Sequence, residues 1–455
     1  MKWWQLSLLG IACTIGTGYF MGSGIGIKMG GSSVILLFVL AGLVTYIVFD
    51  VLARMTADNP QKGSFQAYAK NAFGRWAGFS SGWVYWSSEL LIMGSQLTAL
   101  SLFARLWLPG MPLWLLACGF AILGLMVIFL GTKVFESAEN VFAIIKISAI
   151  LMFITIALIA LFGFLNGNPH QSKLPISSNV LLPNGALGIW SSFIFAFYAF
   201  GGIEIMGLMA IRLKNPKEAA KSGKLMITVL TIVYVASLIL ALTLIPLAKI
   251  KGKESLFQTA LNVYEIPFLP HIFNSILIIA GFSTMVASLF AVTTILVTLA
   301  ENQNAPRIFA KKTKGKRELP IPAILLTTTG IAFAVVMSLL LPEELYEYVT
   351  TAAGIMLLYN WLFILLSSGK LLQLSVWGKV KRILGMVLIL TAICGTMFHP
   401  TSRPGFWISL LFVVVIGIVT FIMHVVWSKH KKKKGRVIAS KGFPKPKKRK
   451  NGGAI

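Results

Sequence analysis

Charged residues are scarce in this sequence of 455 residues. Only 12% of the chain is Asp, Glu, Lys or Arg, where an ordinary soluble domain has about 25%. The mean hydropathy is +0.81, and apolar runs of about 18 to 25 residues, long enough to cross about 30 Å of hydrocarbon, recur between Leu6 and Trp427. These features exclude a set of soluble domains and predict a protein that is solvated mainly by lipid.

Cysteine and histidine are also few, which excludes several kinds of site. The three cysteines, Cys13, Cys118 and Cys394, lie inside apolar runs and lack the CxxC spacing of a metal site. The five histidines are scattered near loops or ends of spans. No nucleophile–base set, phosphate loop or catalytic domain is visible outside the apolar runs. The sequence therefore predicts no enzyme, disulfide, metal or organic cofactor.

The apolar runs predict an all-α membrane protein with about twelve transmembrane helices. An even number of spans places both termini on one side of the membrane. The predicted domains are a transmembrane domain, 1–427, and a basic tail, 428–455. The predicted spans lie at 6–27, 33–55, 80–106, 112–131, 138–164, 187–211, 224–248, 272–300, 320–341, 346–368, 382–398 and 405–427.

Basic residues indicate the orientation of the chain. The sequence has 41 Lys and Arg residues against 14 Asp and Glu, a formal net charge of +27. Most of the basic residues fall in loops on the side that the termini share, for example Arg75, Lys214 and Lys311. By the positive-inside rule both termini are expected to be cytoplasmic. We therefore expect a multi-pass protein of a bacterial cytoplasmic membrane.

The tail, 428–455, is strongly basic and has no hydrophobic periodicity, which predicts a disordered segment. Clustered Lys and Arg residues beside a span are typical of a topogenic anchor near anionic lipid headgroups. The expected partner of the tail is therefore membrane lipid and not nucleic acid. The sequence leaves the oligomeric state open.

Glycine is concentrated in the first span. Gly16, Gly18, Gly22 and Gly24 lie in one predicted helix, where each glycine costs about 1 kcal/mol relative to alanine. One explanation is close helix packing, because Gly18 and Gly22 have the spacing of small residues at helix contacts. The other is a break in the helix, which would expose half-helix N–H groups to a carboxylate at mid-membrane.

A second candidate break lies in the sixth span. Gly201 and Gly202 interrupt an aromatic run there, and Glu204 follows directly. This span opens the second set of five helices, as the first span opens the first set. Paired interruptions at corresponding positions indicate an inverted-repeat transporter with its substrate site between the two breaks.

Four charged residues are predicted to lie within the membrane, where charges are costly and become candidates for function. Lys146, about two turns inside the fifth span, could load and release a proton as access alternates, or it could form a structural ion pair or snorkel to the surface. Glu204 could cap freed backbone donors or take part in proton coupling. Glu139 lies near the cytoplasmic start of its predicted span and is interpreted as structural. Glu89 has no assigned role.

Five segments of the sequence form a recognisable set: IGTGYFMGSG at 15–24, the loop and third-span entry at 59–86, FGGIE at 200–204, KNP at 214–216, and LAENQNAPRIFAK at 299–311. Together they resemble the amino acid, polyamine and organocation superfamily, most closely its bacterial amino acid transporter branch. The resemblance extends from Lys2 to about Trp427. It implies the five-plus-five inverted-repeat fold with two extra helices, alternating access, and uptake of amino acids.

The resemblance also implies roles for individual residues. The substrate carboxylate would meet the backbone at Gly16, Thr17 and Gly18, and its ammonium group the carbonyls around Ala199, Phe200 and Gly202. Lys146 falls where proton-coupled relatives carry a lysine in place of a sodium ion, so the proton is the expected coupling ion. The candidate coupling residues are Lys146 and Glu204. The candidate substrate-binding residues are Ile15, Gly16, Thr17, Gly18, Phe197, Ala199, Phe200, Gly201, Gly202 and Ile203.

The sequence departs from the family pattern at four positions. Gln96 stands where many relatives have glutamate, Ile203 where threonine is common, Arg212 where glutamate is usual, and Thr294 where arginine is usual. These differences bear on the partner of Lys146 and on the selectivity for the substrate side chain.

The substrate class is predicted from the side chains around the second break. Ile203 beside Phe20, Phe197 and Phe200 would line an apolar pocket, and Glu204 is the one acidic residue expected to be available to a cationic side chain. A medium to large neutral amino acid is therefore expected, imported by proton symport. An amino acid exchanger, or a receptor that binds an amino acid without transporting it, remains an alternative on the same fold.

Overall fold

The computed structural model describes residues 1–165, 178–250, 252, 254–264, 266–314, 318–340 and 345–440. Within this part of the chain the regular secondary structure is helical throughout. Its α-helices are α1 (Trp3–Thr14), α2 (Thr17–Phe20), α3 (Gly22–Gly30), α4 (Val34–Asp58), α5 (Phe65–Phe73), α6 (Arg75–Ala104), α7 (Leu113–Leu130), α8 (Thr132–Leu161), α9 (Ser178–Leu181), α10 (Gly185–Tyr198), α11 (Ile203–Met209), α12 (Ala219–Leu244), α13 (Leu256–Leu261), α14 (Leu269–Glu301), α15 (Ile321–Leu340), α16 (Leu345–Leu371), α17 (Val376–Gly395) and α18 (Arg403–Ser440).

The predicted all-α membrane fold is confirmed, since each predicted span coincides with a helix or with a set of shorter helices. Eight stretches of the described residues are long and apolar enough to cross a membrane. Four predicted spans, at 6–27, 80–106, 320–341 and 382–398, are not matched by a separate stretch of this kind. Helix α6 covers the second of these and packs against α5, α7, α14, α15, α16 and α18. Because other helices surround α6, its side chains need not face lipid and can include polar groups, which lowers its hydropathy.

The first span is interrupted, as one of the two explanations for its glycines predicted. Helix α1 ends at Thr14 and α2 begins at Thr17, and the backbone of Ile15 and Gly16 between them is extended. The N–H groups at the start of α2 have no carbonyl in a preceding helical turn. The break therefore presents polar backbone inside the membrane-spanning bundle.

The sixth span is interrupted as well, which confirms the second predicted break. Helix α10 ends at Tyr198 and α11 begins at Ile203. Gly202, directly before α11, has φ +115°, a conformation that glycine adopts without steric cost. A Cβ atom on Gly202 would lie 2.8 Å from the carbonyl oxygen of Cys13, near the end of α1. The two breaks therefore lie against each other.

Both ends of the described chain lie on one face of the bundle. The Met1 ammonium donates to the Arg212 carbonyl at 3.0 Å, and the Lys214 N–H donates to the Met1 carbonyl at 3.1 Å. At the other end, the Arg75 guanidinium lies 4.0 Å from the ring centroid of Trp427. Four spans separate Arg75 from Arg212, so both belong to the same face, which we call the terminus face.

The last helix is longer than the predicted span. Helix α18 continues to Ser440, so residues 428–440 are helical where the sequence predicted a disordered segment. Lysine is among the better helix formers, so a helix that leaves the membrane can continue through a run of lysines. The remainder of the predicted tail, 441–455, lies outside the described residues.

Gly223 allows α12 to approach α4 closely. An added Cβ atom there would overlap the ring of Phe49. We expect Gly223→Ala to destabilise the fold by about 1–3 kcal/mol, as overpacking typically does. Thermal unfolding of the purified protein in detergent would measure this. Gly119→Ala in α7 is the matched control, since its Cβ would meet nothing within 4 Å. Equal melting temperatures for the two variants would contradict the close α4–α12 contact.

Candidate functional site

A small cavity lies where the two interrupted spans meet. Its volume is about 20 Å³, which is room for roughly one water molecule. The first span, α6, the sixth span and α14 all contribute to its wall. The lining residues are Cys13, Thr14, Gly16, Gly18, Glu89, Ile92, Gln96, Tyr198, Gly201, Gly202, Ile205, Thr284 and Ser288.

The cavity brings together glycines from both breaks. A Cβ atom on Gly16 would lie 2.6 Å from the Thr284 hydroxyl oxygen, and one on Gly18 would lie 2.8 Å from the Tyr198 ring. Neither position has room for a side chain, so backbone itself forms this part of the wall. The predicted substrate-binding residues that line the cavity are Gly16, Gly18, Gly201 and Gly202.

The other predicted substrate-binding residues are buried around the cavity without lining it. The Thr17 hydroxyl donates to Gln96 Oε1 at 2.6 Å, and the Thr17 carbonyl accepts from the Tyr346 hydroxyl at 2.9 Å. The Ala199 carbonyl accepts from the Tyr234 hydroxyl at 3.2 Å, so a protein group already uses one carbonyl that was predicted to meet the ammonium group. The buried residues outside the lining are Ile15, Thr17, Phe197, Ala199, Phe200 and Ile203.

Of the aromatic residues beside the second break, Tyr198 lines the cavity, whereas Phe197 and Phe200 do not. Phe197 packs edge to face against Trp361 of α16, with ring centroids 5.9 Å apart. Phe200 packs against Tyr234 of α12, with centroids 5.3 Å apart. In this structure the two rings contact helices that neighbour the sixth span, and the apolar substrate pocket expected around Ile203 stays a prediction.

One face of α6 contributes three residues that the sequence did not single out together as a site. Glu89, Ile92 and Gln96 are spaced i, i+3 and i+7, which places them on one side of a helix. The departure of Gln96 from the family pattern was visible in the sequence, and helical spacing from Gln96 would have identified Glu89. The expectation that Glu204 is the one acidic residue available to the substrate is therefore wrong, because Glu89 lines the cavity.

Glu204 caps the second break. Its Oε2 atom accepts the Gly202 N–H at 3.0 Å, and its Oε1 atom accepts the indole N–H of Trp361. The side chain is fully buried and does not line the cavity. The sequence leaves two roles open for Glu204, capping and proton coupling, and these hydrogen bonds are the ones that the capping role requires.

Lys146 connects α8 to the end of α1. Its Nζ atom is fully buried and donates to the Ala12 carbonyl at 2.5 Å. The charge of Glu139, two turns earlier in α8, acts on the ammonium group, and Glu139 Oε2 accepts the Ser283 hydroxyl at 2.7 Å.

Since α8 begins at Thr132, Glu139 lies beyond the first turn, where a helix dipole has little effect. Its expected position near the helix start is corrected accordingly.

A larger vestibule opens on the terminus face. Its volume is about 240 Å³, and its rim includes Lys62, Arg212 and Lys312. Arg212 pairs there with the half-buried carboxylate of Glu136. On α14, Ser288 lines the cavity and Thr293, between one and two turns further along the helix, lines the vestibule. The vestibule therefore lies directly beyond the cavity on this side.

An aromatic cluster packs on the opposite side. Phe257 belongs to α13, which connects the seventh and eighth spans on the face opposite the termini. Its ring centroid lies 5.1 Å from that of Tyr19, 5.8 Å from that of Phe20 and 4.9 Å from that of Phe153. Phe20, which is expected in an apolar substrate pocket, belongs to this cluster in the structure. The cavity thus has an open vestibule on one side and packed rings on the other.

Comparison with known families adds an independent finding. The family model described as "Amino acid permease" matches residues 5–436, which is nearly the whole described chain.

Individual relatives extend this likeness. The chain is 54% identical over 422 residues to an uncharacterized transporter, YcgH, of Bacillus subtilis (strain 168), covering 93% of this chain and 94% of that protein. It is 31% identical over 376 residues to the aromatic amino acid transport protein AroP of Corynebacterium glutamicum, covering 81% and 80%. It is 28% identical over 418 residues to AroP of Escherichia coli (strain K12), covering 91% and 88%.

Proposed function

Because this chain belongs to the amino acid permease family, whose members are membrane transporters and not enzymes, we propose that it imports medium to large neutral amino acids by proton symport. Transport would proceed by alternating access across a bacterial cytoplasmic membrane. No cofactor is needed beyond the proton as coupling ion. The observation that carries the proposal is the cavity between the two broken spans, with Lys146 bonded to the end of α1 beside it.

The neutral substrate class draws support from the relatives. Two proteins about 30% identical to this chain are named for transport of aromatic amino acids. The glycines of the first break would receive the substrate carboxylate, because unpaired N–H groups at a half-helix start favour negative charge. The side chain would then extend toward α6 and α14, whose residues complete the cavity wall.

Proton coupling would act through the contact between α8 and α1. A protonated Lys146 donates to the Ala12 carbonyl two residues before α1 ends, and so holds this half-helix against α8. Loss of the proton removes the charge and weakens that hold. Helix α1 would then be free to move when the substrate site changes from being open to one face of the membrane to being open to the other. Glu204 would take part by holding the shape of the second break.

The proposed orientation rests on the charges of the loops. The terminus face carries the vestibule and basic residues such as Lys62, Arg212 and Lys312. Basic loops remain cytoplasmic during membrane insertion. The vestibule would therefore be the route of release into the cytoplasm, and the aromatic cluster around Phe257 would close the external route.

Radiolabelled uptake into proteoliposomes tests the proposal. A mixture of the twenty amino acids is offered under an imposed inward proton gradient, with and without an ionophore. Gradient-dependent accumulation of leucine, phenylalanine or a similar amino acid is expected, because a symporter stores the energy of the gradient in its substrate. An excess of arginine is expected to leave that uptake unchanged.

Other outcomes would redirect the proposal. Uptake without a gradient requirement, together with counterflow from preloaded vesicles, would indicate an exchanger. Binding without uptake or counterflow would indicate a receptor. Competition by arginine but not by leucine or phenylalanine would contradict the neutral substrate class.

A further inference from the structure

Glu89 is a buried carboxyl group that faces the cavity without a cationic partner. Its side chain is 1% exposed, it lines the cavity, and its Oε2 atom has no hydrogen-bond partner. The hydroxyl groups of Tyr85 and Ser288 lie beside it. Ser288 also lines the cavity. The carboxyl group thus has neutral groups beside it and faces the cavity.

The other buried carboxyl groups of the site have partners. Glu204 accepts an N–H from Gly202 and another from Trp361. Glu139 accepts the Ser283 hydroxyl at Oε2 and, although its Oε1 atom also has no hydrogen-bond partner, it lies within the field of the Lys146 charge. Among the described residues, no cation contributes to the surroundings of Glu89 in the same way. Of these three acidic residues, Glu89 is therefore the one with neither a nearby cation nor backbone or indole N–H donors from the protein.

Leaving a carboxylate buried and unpaired is costly, since desolvation of the ion is recovered only through an opposite charge and hydrogen bonds. A cation that enters the cavity would supply both, and charge-assisted hydrogen bonds are the stronger kind. The backbone of the first break, where Gly16 and Gly18 line the same cavity, is suited instead to a negatively charged group of the ligand. The cavity therefore has one wall suited to an anion and another suited to a cation.

We propose that Glu89 binds the positively charged nitrogen of the substrate, as the counterpart of the carboxylate-binding backbone at the first break. The proposal rests on the proposed function and deepens it by naming the group that orients the amino acid. The nitrogen has two possible sources. One is the α-ammonium group that every amino acid carries, and the other is the side-chain nitrogen of a basic amino acid such as lysine.

Binding to the purified full-length protein in detergent tests this assignment. The probes are phenylalanine, lysine, and 3-phenylpropionate, which is phenylalanine without its ammonium group. Glu89→Gln keeps the size of the side chain and removes its charge. We expect roughly a 10- to 100-fold loss of affinity for the probe whose nitrogen meets Glu89, the effect of losing one hydrogen-bonded charge. Asp58→Asn, on the exposed end of α4, removes a carboxylate elsewhere and is expected to leave all affinities unchanged.

The pattern across probes distinguishes the sources. A loss for phenylalanine with unchanged 3-phenylpropionate would assign Glu89 to the α-ammonium group, and any lysine binding should then fall by the same factor. A loss confined to lysine would assign it to a side-chain nitrogen and would overturn the neutral substrate class while supporting the role of Glu89. Unchanged affinities, or equal losses for phenylalanine and 3-phenylpropionate, would overturn the role of Glu89.

A second variant covers the case in which Glu89→Gln does not fold. Glu89→Asp keeps the charge but withdraws it by one methylene group. It is expected to weaken amino acid binding less than tenfold and to leave 3-phenylpropionate unchanged, and equal weakening of both would overturn the proposal. Wild-type protein that binds none of the twenty amino acids would overturn the proposed function and this role with it, a result distinct from intact binding that is insensitive to Glu89.

Discussion

Replacing Lys146 with glutamine is expected to abolish accumulation of substrate by the proton gradient while some binding is retained. The Nζ atom donates to the Ala12 carbonyl from a fully buried position and does not line the cavity. Glutamine can still donate a hydrogen bond but cannot exchange a proton with either side of the membrane. Uptake into proteoliposomes should therefore stop at equal concentrations inside and outside, with or without the gradient.

The same substitution tests the alternative that Lys146 is only part of a structural ion pair. Its removal takes away the positive charge that acts on the buried carboxyl group of Glu139, so this variant is expected to be less stable than the unmodified protein. The double variant Lys146→Gln/Glu139→Gln removes both charges and keeps an acceptor for the Ser283 hydroxyl. We expect it to recover stability without recovering gradient dependence. Gradient-driven accumulation in either variant at the level of the exposed control Lys379→Gln would refute the proton-carrier role.

Gly202→Ala is expected to reduce uptake more than tenfold. Alanine at φ +115° is strained by about 1–3 kcal/mol, and its Cβ atom would lie 2.8 Å from the Cys13 carbonyl oxygen. The two breaks would have to separate, which displaces the N–H that Glu204 accepts and the adjoining cavity wall. Initial rates of uptake under the imposed gradient would measure the loss.

Gly22→Ala provides the comparison for this second substitution. Gly22 begins α3, and a Cβ atom there would meet its nearest neighbour, the Phe195 ring, at an ordinary 3.9 Å. We expect uptake close to that of the unmodified protein. If both alanine variants transported equally well, the close approach of the two breaks would not be needed for function.

The positions of the spans and of their interruptions could be read from the sequence. A span must cover a fixed thickness of hydrocarbon, so its length and hydropathy mark it in the chain. Glycines such as Gly16 and Gly202 mark the breaks, because a side chain is excluded where the two backbones approach. These features depend on local sequence, and the structure agrees with them.

The direction of each side chain could not be read in the same way. Helix α10 is apolar on most sides, so its sequence does not distinguish a cavity-facing side from one that packs on a neighbouring helix. Phe197 and Phe200, which are expected in a substrate pocket, pack on neighbouring helices in this structure and do not line the small cavity. Their placement depends on the rotation of whole helices, which is decided by contacts with residues far away in the chain, such as Trp361 and Tyr234.

The small size of the cavity has a consequence for measured affinity. A space of about 20 Å³ holds one water, so an amino acid binds only after the surrounding helices separate. If the widened form makes up about 1% of the population, the apparent Kd is about 100-fold weaker than the intrinsic one. Every dissociation constant of this carrier therefore contains the free energy of opening. A substitution distant from the substrate that favours the widened form would strengthen the binding of all its substrates by one common factor.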